Sequence, residues 1–167
     1  KNIFNKCQNS KDTQYDGMYK IIEEELSYLD NNWPMNLPKG VIHGDIFPDN
    51  VFFIENIISG LIDFYFACND YYAYELAICI NAWCFDNSRT LNQKKYESIL
   101  EGYQSLKKLT SVELDNLPIL LRGAAMRILL TRLHDQLYHP EEAYVKPKDP
   151  MEYFTILKFH QSNNFFG

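Results

Sequence analysis

The chain has 167 residues and a hydrophobic fraction of 46%, which suits one globular domain rather than a disordered segment. The formal net charge of −6 disfavours a nucleic-acid-binding surface and electrostatic attachment to an anionic membrane. The sequence shows no membrane-length apolar stretch, no signal peptide and no Cys-x-x-Cys pair, so we expect a cytoplasmic protein without a zinc site.

The first part of the chain is predicted to be polar and then helical. Residues 1–15 are mixed and polar, and we interpret them as a linker or the remnant of a helix. From Asp16 to Asp30 apolar residues recur at helical spacing, with Glu23–Glu25 expected to face water. The asparagine pair that follows is predicted to end this helix.

A small β-hairpin is predicted next. Gly40–His43 is a short apolar segment that leads into the polar loop Gly44–Asn50. Val51–Ile54 and Ile57–Ile62 have the composition of strands, and the two residues between them suit a tight turn. The hairpin therefore follows the polar loop directly.

The rest of the chain is predicted to be mostly helical. The helices cover Tyr71–Phe85, Tyr96–Leu106, Leu117–Tyr138 and Pro150–Gln161, and Asp70 is placed as the N-cap of the first. A small hairpin followed by helices is an α+β arrangement rather than an alternating βαβ one.

The stretch most informative about function surrounds the polar loop. His43, Asp45 and Asn50 fit the spacing H-x-D-x-x-x-x-N, and Asp63 follows the second strand. In phosphoryl transfer this spacing sets a carboxylate beside the nucleophilic hydroxyl and an amide oxygen on a metal. Asp and Asn between strands often only form turns. The combined context, however, favours a phosphotransferase site with Mg²⁺, a cation that prefers oxygen ligands.

These motifs carry a family resemblance. The string from His43 to Asn50, with Ile62-Asp63-Phe64, resembles the aminoglycoside phosphotransferase and choline kinase group. Longer strings around both loops, with 122–127 and 147–153, are similar to the homoserine kinases of that fold. The resemblance runs over about residues 16–161. It implies the C-terminal lobe of a protein-kinase-like fold, mostly helical, with a small hairpin that carries the catalytic and metal loops.

The resemblance also implies an activity and roles for residues. It implies ATP-dependent phosphorylation of the hydroxyl of L-homoserine, with Mg²⁺ as the second cofactor. Asp45 would be the catalytic base, and Asn50 and Asp63 would hold Mg²⁺. His43 is interpreted as a brace for the loop rather than a direct acid-base group. Asp70 is interpreted as structural support rather than a ligand.

Candidate substrate residues lie on the longest predicted helix. A homoserine pocket needs a cation for the carboxylate, and Arg127 is the favoured clamp because it sits in the apolar middle of the helix. Arg122, Arg127, Arg132 and Asp135 do not share one helix face, so they cannot all line one pocket. An alternative for Arg132 and Asp135 is a surface pair with each other.

Several expectations concern what accompanies this lobe. No glycine-rich loop or strand lysine of the ATP-covering kind precedes the catalytic loop. We therefore expect residues 16–167 to form the catalytic lobe, with the nucleotide-clamping lobe absent from this sequence and little activity from the chain alone. Apolar residues around the loops favour self-association or a separately encoded N-terminal lobe. The alternatives are a non-catalytic lone lobe and a kinase of another small amino alcohol such as choline.

Overall fold

The computed structural model describes residues 2–10, 14–86, 89–140, 142 and 144–162. It confirms the predicted α+β class, with helices and two small antiparallel sheets. The elements, in chain order, are α1 (Asn2–Gln8), α2 (Asp16–Asn32), β1 (Lys39–Ile42), β2 (Val51–Ile54), β3 (Ile57–Leu61), β4 (Cys68–Tyr71), α3 (Tyr72–Trp83), α4 (Gln93–Leu106), α5 (Ser111–Tyr138) and α6 (Pro150–Ser162). Among these described helices, none has both the length and the hydropathy that crossing a membrane requires.

Helix α5 is the centre of the fold. One cluster of buried side chains joins it to α1, α2 and α6 through residues such as Ile22, Leu129 and Leu157. A second cluster, which includes Ile80 and Leu120, joins it to α3. Because its neighbours cover several of its faces, α5 is apolar around most of its circumference, as expected of a buried helix. It can therefore hold side chains from distant parts of the chain in fixed positions.

The first helix packs on this core. Phe4 and Cys7 are buried in the cluster around α5. The hydroxyl of Tyr138, at the end of α5, donates a hydrogen bond of 2.8 Å to the carbonyl oxygen of Lys6. Within residues 1–15, the described segment Asn2–Gln8 is helical.

Helix α2 corrects one expectation from the sequence. Glu25 was expected to face water with its acidic neighbours, but it is only 2% exposed. At 3.6 residues per turn Glu25 falls on the face of Ile22 and Leu29, which points into the core. Arg122 donates to both of its carboxylate oxygens, at 2.7 and 2.6 Å, so the buried charge has a bidentate partner.

The boundaries of α5 and α3 also differ from prediction. Helix α5 begins at Ser111 rather than Leu117 because Thr110 and Glu113 form a capping box, which the pattern Thr-x-x-Glu encodes. Asp70 is not the N-cap of α3: Tyr71 occupies that position. Asp70 instead belongs to β4, and its Oδ1 accepts a 2.7 Å hydrogen bond from the backbone nitrogen of Tyr71.

The two sheets position the loops that matter for function. Strands β2 and β3 form the predicted hairpin, ending at Leu61 rather than Ile62. Its two turn residues, Glu55 and Asn56, have φ of 48° and 67°, as a type I′ turn requires. Strand β1 pairs with β4, a strand that was not predicted, with Ile42 opposite Cys68. This pairing brings the segment after β1 beside the segment after β3.

Candidate active site

The loop after β1 is fixed by its glycine. Gly44 has φ of +75°, and a Cβ there would lie 2.7 Å from the carbonyl oxygen of Phe66. Its backbone nitrogen donates a 2.8 Å hydrogen bond to Glu75 Oε2 on α3, and its carbonyl oxygen accepts one from Arg127 on α5. The peptide groups on both sides of Gly44 are thus held by side chains from two helices.

Glu75 is a functional neighbour that the sequence analysis missed. Burial raises the pKa of Glu75, although the hydrogen bond from Gly44 and the neighbouring His43 act in the opposite direction. Its second oxygen, Oε1, is buried without a hydrogen-bond partner among the described residues. The sequence did carry a signal for Glu75, because it is an acidic residue in the first turn of an otherwise apolar helix. Acidic side chains are rarely buried unless they have a partner or a role.

His43 connects the two loops. Its ring is 7% exposed, and Nε2 lies 2.9 Å from the carbonyl oxygen of Ile62, just before Asp63. Nδ1 accepts a 3.2 Å hydrogen bond from the backbone nitrogen of Asp45, so the proton belongs on Nε2. The imidazole therefore joins the backbone on both sides of the site, which is the geometry that a brace requires.

Asp45, Asn50 and Asp63 come together in one cavity of about 380 Å³. The Asn50 side-chain nitrogen donates to the Asp45 carbonyl oxygen at 2.8 Å and to Asp45 Oδ2 at 3.2 Å. Asp63 has φ of 63°, a left-handed conformation that is uncommon outside glycine and concentrates at functional sites. The motif residues thus converge although Asp63 comes from a separate loop.

The donor set in this cavity fits Mg²⁺. Because the nitrogen of the Asn50 amide is used by Asp45, the amide oxygen is the atom left to bind a cation. Asp63 is exposed and contributes a carboxylate. In the described part of the chain no three His, Cys, Asp or Glu side chains form a metal-binding group. Magnesium needs no such cage, since it keeps several waters and takes further oxygens from phosphates.

One wall of the cavity is formed by α5. Arg127 lies there, with its terminal nitrogen 3.8 Å from Asp45 Oδ1. Arg132 and Asp135 line the same cavity farther along the helix. Arg122 is not in this wall, because it binds Glu25, which agrees with the expectation that not all four charged residues share a pocket.

Arg132 and Asp135 do not form the surface pair that the sequence offered as an alternative, because other partners are described for both. Arg132 is 8% exposed, and its NH1 donates to Glu152 Oε2 at the start of α6. Asp135 lies 3.6 Å from His134 Nδ1 instead. The sequence spacing permitted the pair, but the packing of α6 against α5 turned the guanidinium toward another carboxylate.

Two further residues complete the description of the predicted site. Asp49, the residue before Asn50 in the motif, lines the cavity and pairs with Lys148, a residue that the sequence analysis did not single out. Asp70 is not among the residues that line the cavity. It contributes through β4, whose pairing with β1 sets the start of the catalytic loop.

Known proteins are similar to this chain over most of its length. Residues 5–109 match the family described as "Phosphotransferase enzyme family". A homoserine kinase of Parvibaculum lavamentivorans is 52% identical, over 95% of this chain and 50% of the relative. Homoserine kinases of Sinorhizobium fredii and Rhodopseudomonas palustris are 53% and 51% identical, over 90% and 97% of this chain and 46% and 50% of the relatives. The chain thus spans about half the length of these curated relatives.

Proposed function

This chain belongs to the phosphotransferase enzyme family, and we propose that it is the catalytic lobe of a homoserine kinase, which transfers the γ-phosphate of ATP to the hydroxyl of L-homoserine. The observation that carries the proposal is the convergence of Asp45, Asn50 and Asp63 in one cavity. The substrate is proposed from the relatives, which are homoserine kinases. We assign the lobe to residues 16–167, with α1 packed on it.

The proposed reaction begins with Asp45. Its carboxylate is oriented by Asn50 and lies at the edge of the Gly44 peptide that Glu75 and Arg127 fix. The hydroxyl oxygen of the substrate forms a bond to the γ-phosphorus, the bond from phosphorus to the bridging oxygen breaks, and ADP leaves. Asp45 accepts the hydroxyl proton. Fixing the carboxylate in advance contributes to the rate because no reorientation is needed during transfer.

The remaining site residues have supporting roles. Asn50 and Asp63 would hold Mg²⁺, which when bound neutralises the charge that develops on the phosphates. Arg127 would bind an anionic group beside the reacting hydroxyl, since its guanidinium lies 3.8 Å from Asp45. His43 would keep the two loops in register, and Asp70 would do so through β4.

The charge of the cavity favours homoserine over choline. Arg127, Arg132 and Lys148 line it together with the carboxylates, so both signs of charge are available to a zwitterion. Choline carries a cation and no carboxylate, so it offers these basic residues no anionic group to bind. The complete set of Asp45, Asn50 and Asp63 likewise favours an enzyme over a non-catalytic lobe.

The proposal is tested by a substrate panel. The protein, expressed as its complete gene product, would be assayed for ADP formation with L-homoserine, L-serine and choline at matched concentrations. We expect kcat/KM for L-homoserine to exceed that for choline by about 100-fold or more, because a site built for polar groups rejects analogues that lack them. Equal rates, or a preference for choline, would overturn the assignment.

A further inference from the structure

The cavity wall on α5 is a single stripe of the helix. The α5 residues that line the cavity have the spacing expected for one helix face. They are Arg127, Ile128, Thr131, Arg132 and Asp135. Arg127 lies at the reacting end because it is 3.8 Å from Asp45. At a rise of about 1.5 Å per residue, Arg132 is roughly 7.5 Å and Asp135 roughly 12 Å farther along the axis. The stripe therefore runs outward from the reacting centre.

Asp135 offers an accessible carboxylate at the outer end of this stripe. Its side chain is 58% exposed, and the one ion pair described for it joins it to His134. Arg132, one turn earlier, is paired with Glu152 and does not neutralise it. Asp135 is among the residues that line the cavity, so its carboxylate is accessible to a ligand there.

Next to Asp135 in this wall, Arg132 provides a guanidinium that is already ordered. Its NH1 donates to Glu152 and to the carbonyl oxygen of Asp149, and its guanidinium lies 4.6 Å from the ring centre of Tyr153. A guanidinium has five N–H donors, so NH1 does not exhaust its capacity. Since the side chain is already ordered, binding a carboxylate costs little further rotamer entropy.

The dimensions of the substrate fit these two groups. In L-homoserine, four bonds of about 1.5 Å separate the hydroxyl oxygen from the amino nitrogen, roughly 5 Å when extended. With a hydrogen bond of about 3 Å at each end, an extended substrate spans roughly 11 Å between two carboxylates, which approaches the roughly 12 Å rise from Arg127 to Asp135. On the basis of the proposed function, we propose that Asp135 binds the ammonium group of the acceptor amino acid and that Arg132, in place of Arg127, binds its carboxylate.

The test compares two carboxylates on the same helix. In the complete gene product, Asp135→Asn should raise KM for L-homoserine about 10- to 100-fold, the effect of losing one charged hydrogen bond, with kcat nearly unchanged. Asp115→Asn is the matched control, because Asp115 is also exposed on α5 but does not line the cavity. It should leave both parameters at the wild-type value.

A second readout separates recognition from a structural effect. 4-Hydroxybutyrate has the hydroxyl and the carboxylate of L-homoserine but no ammonium. Asp135→Asn should leave kcat/KM for this analogue unchanged and so reduce the preference for L-homoserine, whereas a damaged fold would lower both values. 3-Amino-1-propanol lacks the carboxylate, and Arg132→Lys should reduce the wild-type discrimination against it.

The outcomes distinguish this inference from the proposed function. If wild type phosphorylates L-homoserine and Asp135→Asn keeps its KM, the ammonium site is overturned while the function stands. If wild type prefers choline, the function is overturned, and calorimetric titration with L-homoserine alone decides the site. Binding that Asp135→Asn weakens supports it. An absence of binding, or equal binding by both proteins, overturns it.

Discussion

The groups that hold Asp45 in position are still present in a variant that lacks its charge. Asn50 donates to both its backbone and its side chain, and Gly44 is fixed from two helices. We therefore expect Asp45→Asn to keep the fold and the nucleotide affinity while lowering kcat about 10²- to 10⁴-fold, as loss of a general base does. Steady-state kinetics and an unfolding curve would measure the two effects. Activity within tenfold of wild type would exclude Asp45 as the base.

The two metal-ligand candidates differ in charge. Asp63 contributes an anionic oxygen and Asn50 a neutral one, and a hard dication gains more from the former. Asp63→Ala should therefore weaken binding of Mg-nucleotide more than Asn50→Ala does. Titration of each variant with Mg-nucleotide, and with nucleotide in the presence of a chelator, would measure the difference. Equal losses, or a larger loss for Asn50→Ala, would contradict the assignment.

The structure brings together residues that the sequence analysis singled out in one short motif. His43, Asp45 and Asn50 are close in the chain, so their spacing alone carried the information. Glu75 was missed because its contact with Gly44 joins residues 31 positions apart. The partner of Arg132 was missed for the same reason, since Glu152 is 20 positions away. The local sequence pattern does not determine which distant carboxylate will pair with a given arginine.

At the scale of elements, α6 and α3 are joined by a buried histidine. His160 Nε2 lies 2.8 Å from Asn81 Oδ1, whose amide nitrogen donates to the carbonyl oxygen of Leu121 on α5. Burial, with a smaller effect of the Arg122 charge, lowers the pKa of His160 to about 4 from 6.5. The neutral imidazole is thus part of the contact between three helices.

This histidine predicts an acid-dependent loss of stability. Because the folded pKa is lowered, the contribution of His160 is complete above pH 6.5 and is lost as the pH falls from 6.5 toward about 4. The loss amounts to roughly 3 kcal/mol. Urea unfolding between pH 7.5 and 4.5 should show a steeper decline for wild type than for His160→Gln. His139→Gln is the control and should follow wild type; equal slopes for all three proteins would contradict the prediction.

Gly123 on α5 leaves room for the side chain of Trp33, the residue that follows α2. A Cβ at Gly123 would lie 2.2 Å from Trp33 Cζ3, whereas nothing lies within 4 Å of a Cβ at Gly102 on α4. Gly123→Ala should destabilise the fold by about 1–3 kcal/mol through overpacking. Gly102→Ala should stabilise it by about 0.5–1 kcal/mol, since alanine is the better helix former. Chemical denaturation of both variants tests the pair, and stabilisation by Gly123→Ala would show that Trp33 moves freely.

Elements that depend on local sequence were easier to predict than elements that depend on residues distant in the chain. Periodicity and turn chemistry located the hairpin β2–β3 and the helices α3, α4 and α6 to within a few residues. Strand β4 was not predicted because Cys68–Tyr71 is short and depends on pairing with β1, which is distant in the chain. The start of α5 was encoded locally in its capping box but was overlooked in favour of the apolar run that follows.

At the scale of the whole molecule, apolar surface is concentrated on the hairpin and the segment after it. The side chains there are about half exposed or more, and they include Phe52, Phe53, Ile54, Ile57, Ile58, Phe64 and Tyr65. Consecutive strand residues point to opposite faces, so both faces of the hairpin meet solvent. Val51 is the residue of β2 that is buried. A two-stranded ribbon with this composition and unpaired edges favours association.

We therefore expect the 167-residue chain, when it is alone in solution, to associate with a second copy. Burying this surface is favourable in proportion to its apolar area, and patches of this kind on monomers mark interaction sites. Sedimentation velocity should show dimers or larger species at concentrations of about 10–100 μM. Ile54→Lys combined with Ile57→Lys should shift the association at least about tenfold toward monomer, because charged residues on an edge oppose strand pairing. Leu106→Lys is the control, since Leu106 is 94% exposed on α4, away from the hairpin. A wild-type chain that stays monomeric over this range would show that the hairpin surface does not need a partner.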